Sequence, residues 1–380
     1  MVLFLDDAAF RILDLLAKNL GKPFSIRALN DGLSSKNRKA YYANTYNQVS
    51  KLSDKRILKL TRIGRARSVE LDFSSDGLIP ALAEMELLRG LELFDDSRLA
   101  AIRKHLGALF FETPFLGAAC IIRDSQALAL NKIELLFILR SPSQGNDAFN
   151  PTYAPPSEGV EEQRAFIAGR IQSLASKTNL RIDFLALTCQ EFLNELFSPQ
   201  ANPVKLLVKD EIAVFNPGFF WMLVEAGKAC GLQFSVNKDS ADSRKLKRED
   251  ILLAFGRHGY REFGAASILP SGYSIETAIA AALVLEDARL LEAIPVILAK
   301  DERKRINYAL LEYLARKCGK AELYGFLLEN AIEFSKLLKT SLTARKCLER
   351  MKNGHGSGWD VRLQLRKADL LEKMVLYHAC

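Results

Sequence analysis

Between Lys36 and Arg67 the chain sets ten lysines and arginines against one acid, Asp54, a local excess of nine charges in a protein whose formal charge is +8 overall. Within that run Tyr41, Asn44, Thr45 and Gln48 recur at helical spacing, so a helix would gather them on one face. Side-chain amides such as those of Asn44 and Gln48 bond adenine edges, while Lys and Arg hold phosphates. The chemistry on offer is recognition of a polyanion. Lys36, Asn37, Arg38, Lys39, Arg62, Arg65 and Arg67 supply charge around that face.

Upstream of this face, residues 6 to 19 read as a helix with Phe10, Leu13, Leu16 and Ala17 inward, ended by Gly21. Ser25 caps a short second helix stopped by Gly32, and Ser34 or Ser35 caps a third. In the third, Tyr42, Tyr46, Val49 and Leu52 are expected inward, which leaves Tyr41, Asn44, Thr45 and Gln48 outward. Two alternating runs, 57 to 62 and 68 to 73, follow as strands joined by a turn at Gly64.

Three helices followed by a ribbon with a basic tip resemble the winged helix-turn-helix DNA-binding domains, over about residues 6 to 73. The resemblance implies double-stranded DNA as partner, with the third helix in the major groove. Arg65 and Arg67 would reach the minor groove or the backbone. The competing reading is a solvated basic face on a module that contacts protein.

Composition sets the surroundings. A quarter of the residues are charged, and no apolar run reaches the roughly 18 to 20 residues of a membrane span. The opening MVLFLDDAAF meets two acids early and is not expected to be a signal peptide. Six cysteines are scattered singly, without the pairing of a metal site or a disulfide framework. These features lead to an expectation of a cytoplasmic, nucleoid-associated protein with no membrane partner.

After a helical connector over 77 to 107, apolar β-like runs alternate with helices across 108 to 235. The strand entering Gly117, KIELLFIL at 132 to 139, RIDFLALT with its EF-containing helix, and NPVKLLVKDEIAVF together resemble the polymerase-beta-type minimal nucleotidyltransferase fold. Archaeal-type proteins join such a domain to a winged helix. The resemblance implies a Gly-Ser turn for nucleotide phosphates and three acids for two metal ions, because Mg²⁺ is a hard cation that takes oxygen ligands. Here Gly117 matches, Ala118 replaces the Ser, Lys132 and Glu134 stand where two Asp belong, and Asp183 matches the third acid. An ammonium at 132 repels a divalent ion, so the site is read as vestigial, with no cofactor. The alternative keeps ATP and Mg.

Residues 141 to 162 carry Pro142, Pro151, Pro155 and Pro156 and are expected to be a mobile loop. The stretch 251 to 380 reads as helices throughout. The fold expected is therefore multidomain α+β: a winged helix over 1 to 76, the connector, a nucleotidyltransferase-like α/β domain, and an all-α C-terminal domain. Its helical regions are candidates for a homodimer contact. The function expected is DNA binding by a transcriptional regulator or antitoxin-like factor, more a non-enzyme than an enzyme. The alternatives are a nucleotidyltransferase acting on nucleic acid or protein, and an adaptor for protein or RNA.

Overall fold

The computed structural model describes residues 5–34, 40–64, 66–113, 115–122, 132–140, 158–178, 180–229, 242–260, 272–301, 306–355 and 367–376. The described residues form a mostly helical α+β protein with two small sheets. The chain makes two compact units. The first comprises Met1–Arg140, Phe192–Phe197 and Val204–Val236, and the second Ser141–Glu191, Ser198–Pro203 and Asn237–Cys380.

The first unit opens with α1 (Asp7–Lys18), β1 (Phe24–Ser25), α2 (Ile26–Leu33), α3 (Tyr42–Asp54), β2 (Leu58–Ile63) and β3 (Ala66–Leu71). Asp6 caps α1 by accepting from the Ala9 amide, and Ser25 caps α2 by accepting from the Ala28 amide, each taking up an orphan donor of the first turn. Helix α3 starts later than a cap at Ser34 or Ser35 would give, with Tyr41 at its N-cap position and no side-chain cap. Gly64 turns the hairpin in the left-handed region, φ 60°, which a glycine adopts without a Cβ clash. The three strands lie antiparallel in the order β1-β3-β2. Leu13, Leu16, Leu29, Val49, Leu52, Leu58 and Val69 are buried in this module.

Helices α4 (Leu78–Leu93) and α5 (Ser97–Glu112) follow, then β4 (Leu116–Ile122) and β5 (Lys132–Leu139). Their apolar runs are buried along nearly their whole length, the mark of strands covered on both faces. Helix α6 (Glu158–Thr178), strand β6 (Arg181–Thr188) and the start of α7 (Cys189–Phe197) belong to the second unit. The chain re-enters the first unit in α8 (Pro203–Asp210), β7 (Glu211–Phe215) and α9 (Pro217–Ala229). In the first unit β5, β4 and β7 stand side by side, β4 antiparallel to both neighbours. Helix α4 packs on α1, on β7 and on α9 through one broad side, where Leu78, Ala81, Leu82, Met85, Glu86, Arg89, Gly90 and Leu93 recur at helical spacing, while Leu87 and Leu91 are exposed.

The second unit continues with α10 (Arg248–Arg257), α11 (Ile275–Leu285), α12 (Ala288–Ala299), α13 (Tyr308–Lys317), α14 (Ala321–Phe334), α15 (Lys336–Thr340), α16 (Leu342–His355) and α17 (Lys367–Leu376). Its core takes in Ile251, Phe255, Ile279, Leu291, Ile294, Leu327 and Met374. Every residue of α11 from Ile275 to Leu283 is buried. Strand β6 lies against α6 and α13. The loop expected over 141 to 162 lies outside the described residues as far as 157, and from Glu158 the chain is already helical.

Candidate nucleic-acid interface

Helix α3 is turned about its axis from the orientation expected from sequence. Thr45 (5% exposed) and Gln48 (9%) face inward with Val49 and Leu52, whereas Tyr42 (53%) and Tyr46 (36%) open to solvent beside Tyr41 (70%). The cause is hydrogen bonding: Thr45 Oγ1 donates to Asn30 Oδ1 at 2.9 Å, and Gln48 Nε2 lies 2.8 Å and 2.9 Å from the two oxygens of Asp6. Buried polar side chains are tolerated when they are paired, and these two are paired to the neighbouring elements. A tyrosine keeps its hydroxyl in water, so leaving Tyr42 and Tyr46 outside costs less than burying them without partners. Thr45 and Gln48 are therefore turned to the neighbouring elements, where an outward orientation was expected. Asn44 stays exposed as expected, and Asn47 and Lys51 join it, an outward face that the reading of the tyrosines as core residues missed.

The hairpin reaches the same face through the two-residue period of a strand. Arg67, Val69 and Leu71 share one side of β3, with Val69 and Leu71 in the core, and Arg67 at the distal end runs past the core edge to meet α3. Its Nη1 donates to the Tyr46 hydroxyl at 3.3 Å. Arg62 stands opposite Arg67 in register, exposed, with its Nε donating to Gly64 O at 3.2 Å. The structure thus brings Tyr41, Asn44, Arg62 and Arg67 to the surface of one small module. Lys36, Asn37, Arg38, Lys39 and Arg65 lie outside the described residues.

The residues carried over from the nucleotidyltransferase pattern have other occupations. Gly117 lies inside β4, at a register shift between Leu116 and Ala118. A Cβ there would sit 2.6 Å from the Phe219 ring and 3.0 Å from Ile138 O, so the space above this glycine is filled by the chain itself. Asn216 Nδ2 donates to Gly117 O at 2.9 Å, and the Arg140 guanidinium lies over the Phe219 ring, 4.3 Å from its centroid. Lys132 Nζ lies 2.9 Å from Glu134 Oε1. Asp183, on β6 of the second unit, pairs with Arg181 Nε at 3.5 Å. Among the described residues no three His, Cys, Asp or Glu side chains gather into a metal-holding group.

Each unit also buries charge away from these positions. In the first, Arg89 of α4 meets Asp14 at 2.6 Å and Glu86 at 2.7 Å, and Glu86 Oε2 accepts from the Ala213 amide at 3.1 Å. Burial pushes the Glu211 carboxyl well above its usual range, and the neighbouring Glu86 carboxylate pushes it further against the pull of Arg89. Burial raises the Cys120 thiol beside them in the same way. In the second unit, Arg164 pairs with Glu161 at 2.6 Å and with Glu191, while Arg350 pairs with Glu161 and, at 3.0 Å, with Glu312, which Arg316 also meets at 3.0 Å. Acids and guanidinium groups alternate along this chain, so each buried charge faces its opposite. No family model, curated protein or solved structure matches this protein.

Proposed function

We propose that residues 6 to 73 act as a winged helix that binds double-stranded DNA. The protein would then be a DNA-binding factor of the regulator or antitoxin type, with its remaining parts serving assembly or sensing rather than catalysis. The observation that carries this reading is the Arg67–Tyr46 contact. It joins the basic hairpin to the exposed face of α3, so that the helix and the hairpin present one continuous surface. The local charge excess between Lys36 and Arg67 supports a polyanion as the partner. The transferase reading asks Glu134 to face a cation from solution, and Lys132 already neutralises it.

The test is the affinity of the intact protein for a random-sequence duplex across a salt series. Log affinity is expected to fall with log salt by about 0.9 per phosphate neutralised. Affinity that stays flat, or is absent at low salt, removes the reading.

A further inference from the structure

We infer that the α3 surface takes unpaired bases, so that DNA with a gap, bubble or single-stranded tail beside a duplex is its preferred ligand over continuous duplex. This deepens the DNA-binding reading and rests on it. Three tyrosines, Tyr41, Tyr42 and Tyr46, lie at the start of α3 with their rings open to water. Two of the side chains expected on the outward face, Thr45 and Gln48, are turned inward and hydrogen-bonded there. The outward face thus carries three aromatic rings beside the amides of Asn44 and Asn47.

A continuous duplex shows a protein its base edges and its phosphates, and the flat faces of its bases are covered by their neighbours. Exposed tyrosine rings gain little from such a target. An unpaired base offers a π-face whatever its identity, and aromatic side chains bind single strands by stacking on it. The Tyr42 and Tyr46 ring centroids are 6.4 Å apart with planes tilted by 33°. At that separation and tilt the two rings are neighbours rather than a stacked pair, and both are exposed, so each can offer a π-face to a base. Arg67, held at the Tyr46 hydroxyl, puts a cation at the edge of this pair, and Arg62 faces it across the hairpin. A strand whose base stacks on these rings would bring its phosphate to those guanidinium groups.

The experiment compares a short fluorescent duplex with the same duplex carrying a central bubble, both titrated with the full-length protein at the same salt concentration and followed by anisotropy. The bubble is expected to bind about tenfold more tightly. In the double variant Tyr42→Leu/Tyr46→Leu the ratio of the two affinities should fall to within about twofold, whatever loss common to both DNAs follows from removing the Arg67–Tyr46 contact. Tyr42→Phe, which preserves the ring, should keep the preference. Equal binding of both DNAs by the natural protein overturns the inference and leaves the DNA-binding reading standing. A preference that survives the double variant overturns the assignment to these rings. Failure to bind either DNA overturns both.

Discussion

The Arg89 guanidinium lies 2.6 Å from the Asp14 carboxylate and so ties α4 to α1. The sequence reading made residues 77 to 107 a connector between domains, yet the same Arg89 also holds Glu86, whose other oxygen takes the Ala213 amide of β7. Helix α4 is thus clamped between the N-terminal helices and the β5-β4-β7 strands by ionic and polar contacts at its buried centre. Within this unit the basic module and the sheet form a single packed body.

Replacing Arg89 by Met should cost about 3–5 kcal/mol of stability, because it leaves the buried Glu86 carboxylate without its cation. Urea unfolding followed by tryptophan fluorescence measures this, since Trp221 is buried in the same unit. The double variant Arg89→Met/Glu86→Gln should recover a large part of the loss, as removing both charges is far less costly than removing one. A double variant no more stable than the single one would mean that packing of the arginine stem dominates.

Glu211 and Glu312 are equally buried and titrate in opposite directions. Burial raises both, but Glu211 has the Glu86 carboxylate as its nearest strong influence, whereas Glu312 lies against Arg350 and Arg316 and falls below its ordinary 4.5. For Glu211 the folded state holds the proton more tightly than the unfolded chain. Stability is therefore lost as pH rises from the ordinary value of 4.5 toward the raised folded value. Glu211→Gln should raise the melting temperature at pH 8 and leave it nearly unchanged at pH values near 4, where the acid is protonated in both states. A gain independent of pH would contradict the assignment.

For Glu312 the sign is reversed. Its contribution is present above 4.5 and disappears as pH falls through the lowered folded value. Glu312→Gln should destabilise the protein by about 3–5 kcal/mol at neutral pH, since Arg350 keeps its charge in a buried site and the half-buried Arg316 loses the same partner. The difference from the natural protein should shrink in acid. Chemical unfolding at neutral and acid pH, with the two midpoints compared, gives the result directly.

Local signals were legible in the chain, and long-range ones were not. The Ser25 cap, the Gly64 turn and the two strands of the hairpin depend on residues a few positions apart; the cap and the turn stand where the sequence placed them, and the strands are shifted, to Leu58–Ile63 and Ala66–Leu71 from the expected 57 to 62 and 68 to 73. The helical connector is expected to end at 107, but α5 continues to Glu112, with Leu109 and Phe110 buried and Phe111 91% exposed. A short apolar run fits either helix or strand, and only the packing decides. The buried ions Glu86, Arg89 and Glu211 carry no signal at all, because their partners are more than a hundred residues away in sequence or are themselves charged groups expected at the surface. The same reason accounts for the candidate site. The basic segment was visible from composition, while the direction in which α3 faces was set by Asp6 and Asn30.

Gly117→Ala tests whether that glycine serves packing. Its added methyl meets the Phe219 ring and a backbone carbonyl, and the carbonyl cannot move aside as a flexible side chain can. A loss of about 1–3 kcal/mol is expected from overpacking. Combining it with Phe219→Leu should recover part of the loss, a coupling measurable in a double-mutant cycle. Additive losses would show that the ring is not the obstacle.

The inward turn of α3 separates two kinds of variant on one helix. Gln48→Leu removes the hydrogen bonds to Asp6, whose Oδ1 also caps α1 by accepting from the Ala9 amide, so it loosens the packing of α3 on α1. About 0.5–1.5 kcal/mol of stability should be lost with each net hydrogen bond, and any change in DNA affinity should follow the fraction folded. Asn44→Ala and Asn47→Ala touch exposed side chains and should leave stability within about 0.5 kcal/mol. If these amides read bases, each should relax sequence preference by about 1–3 kcal/mol at one position, while Arg67→Ala weakens binding to every sequence alike. Binding selections with a randomised duplex, run beside melting curves for each variant, separate the outcomes. A uniform loss across sequences for Asn44→Ala would assign it to the backbone, and a stability loss for Asn44→Ala as large as that for Gln48→Leu would mean that α3 does not turn its glutamine to Asp6.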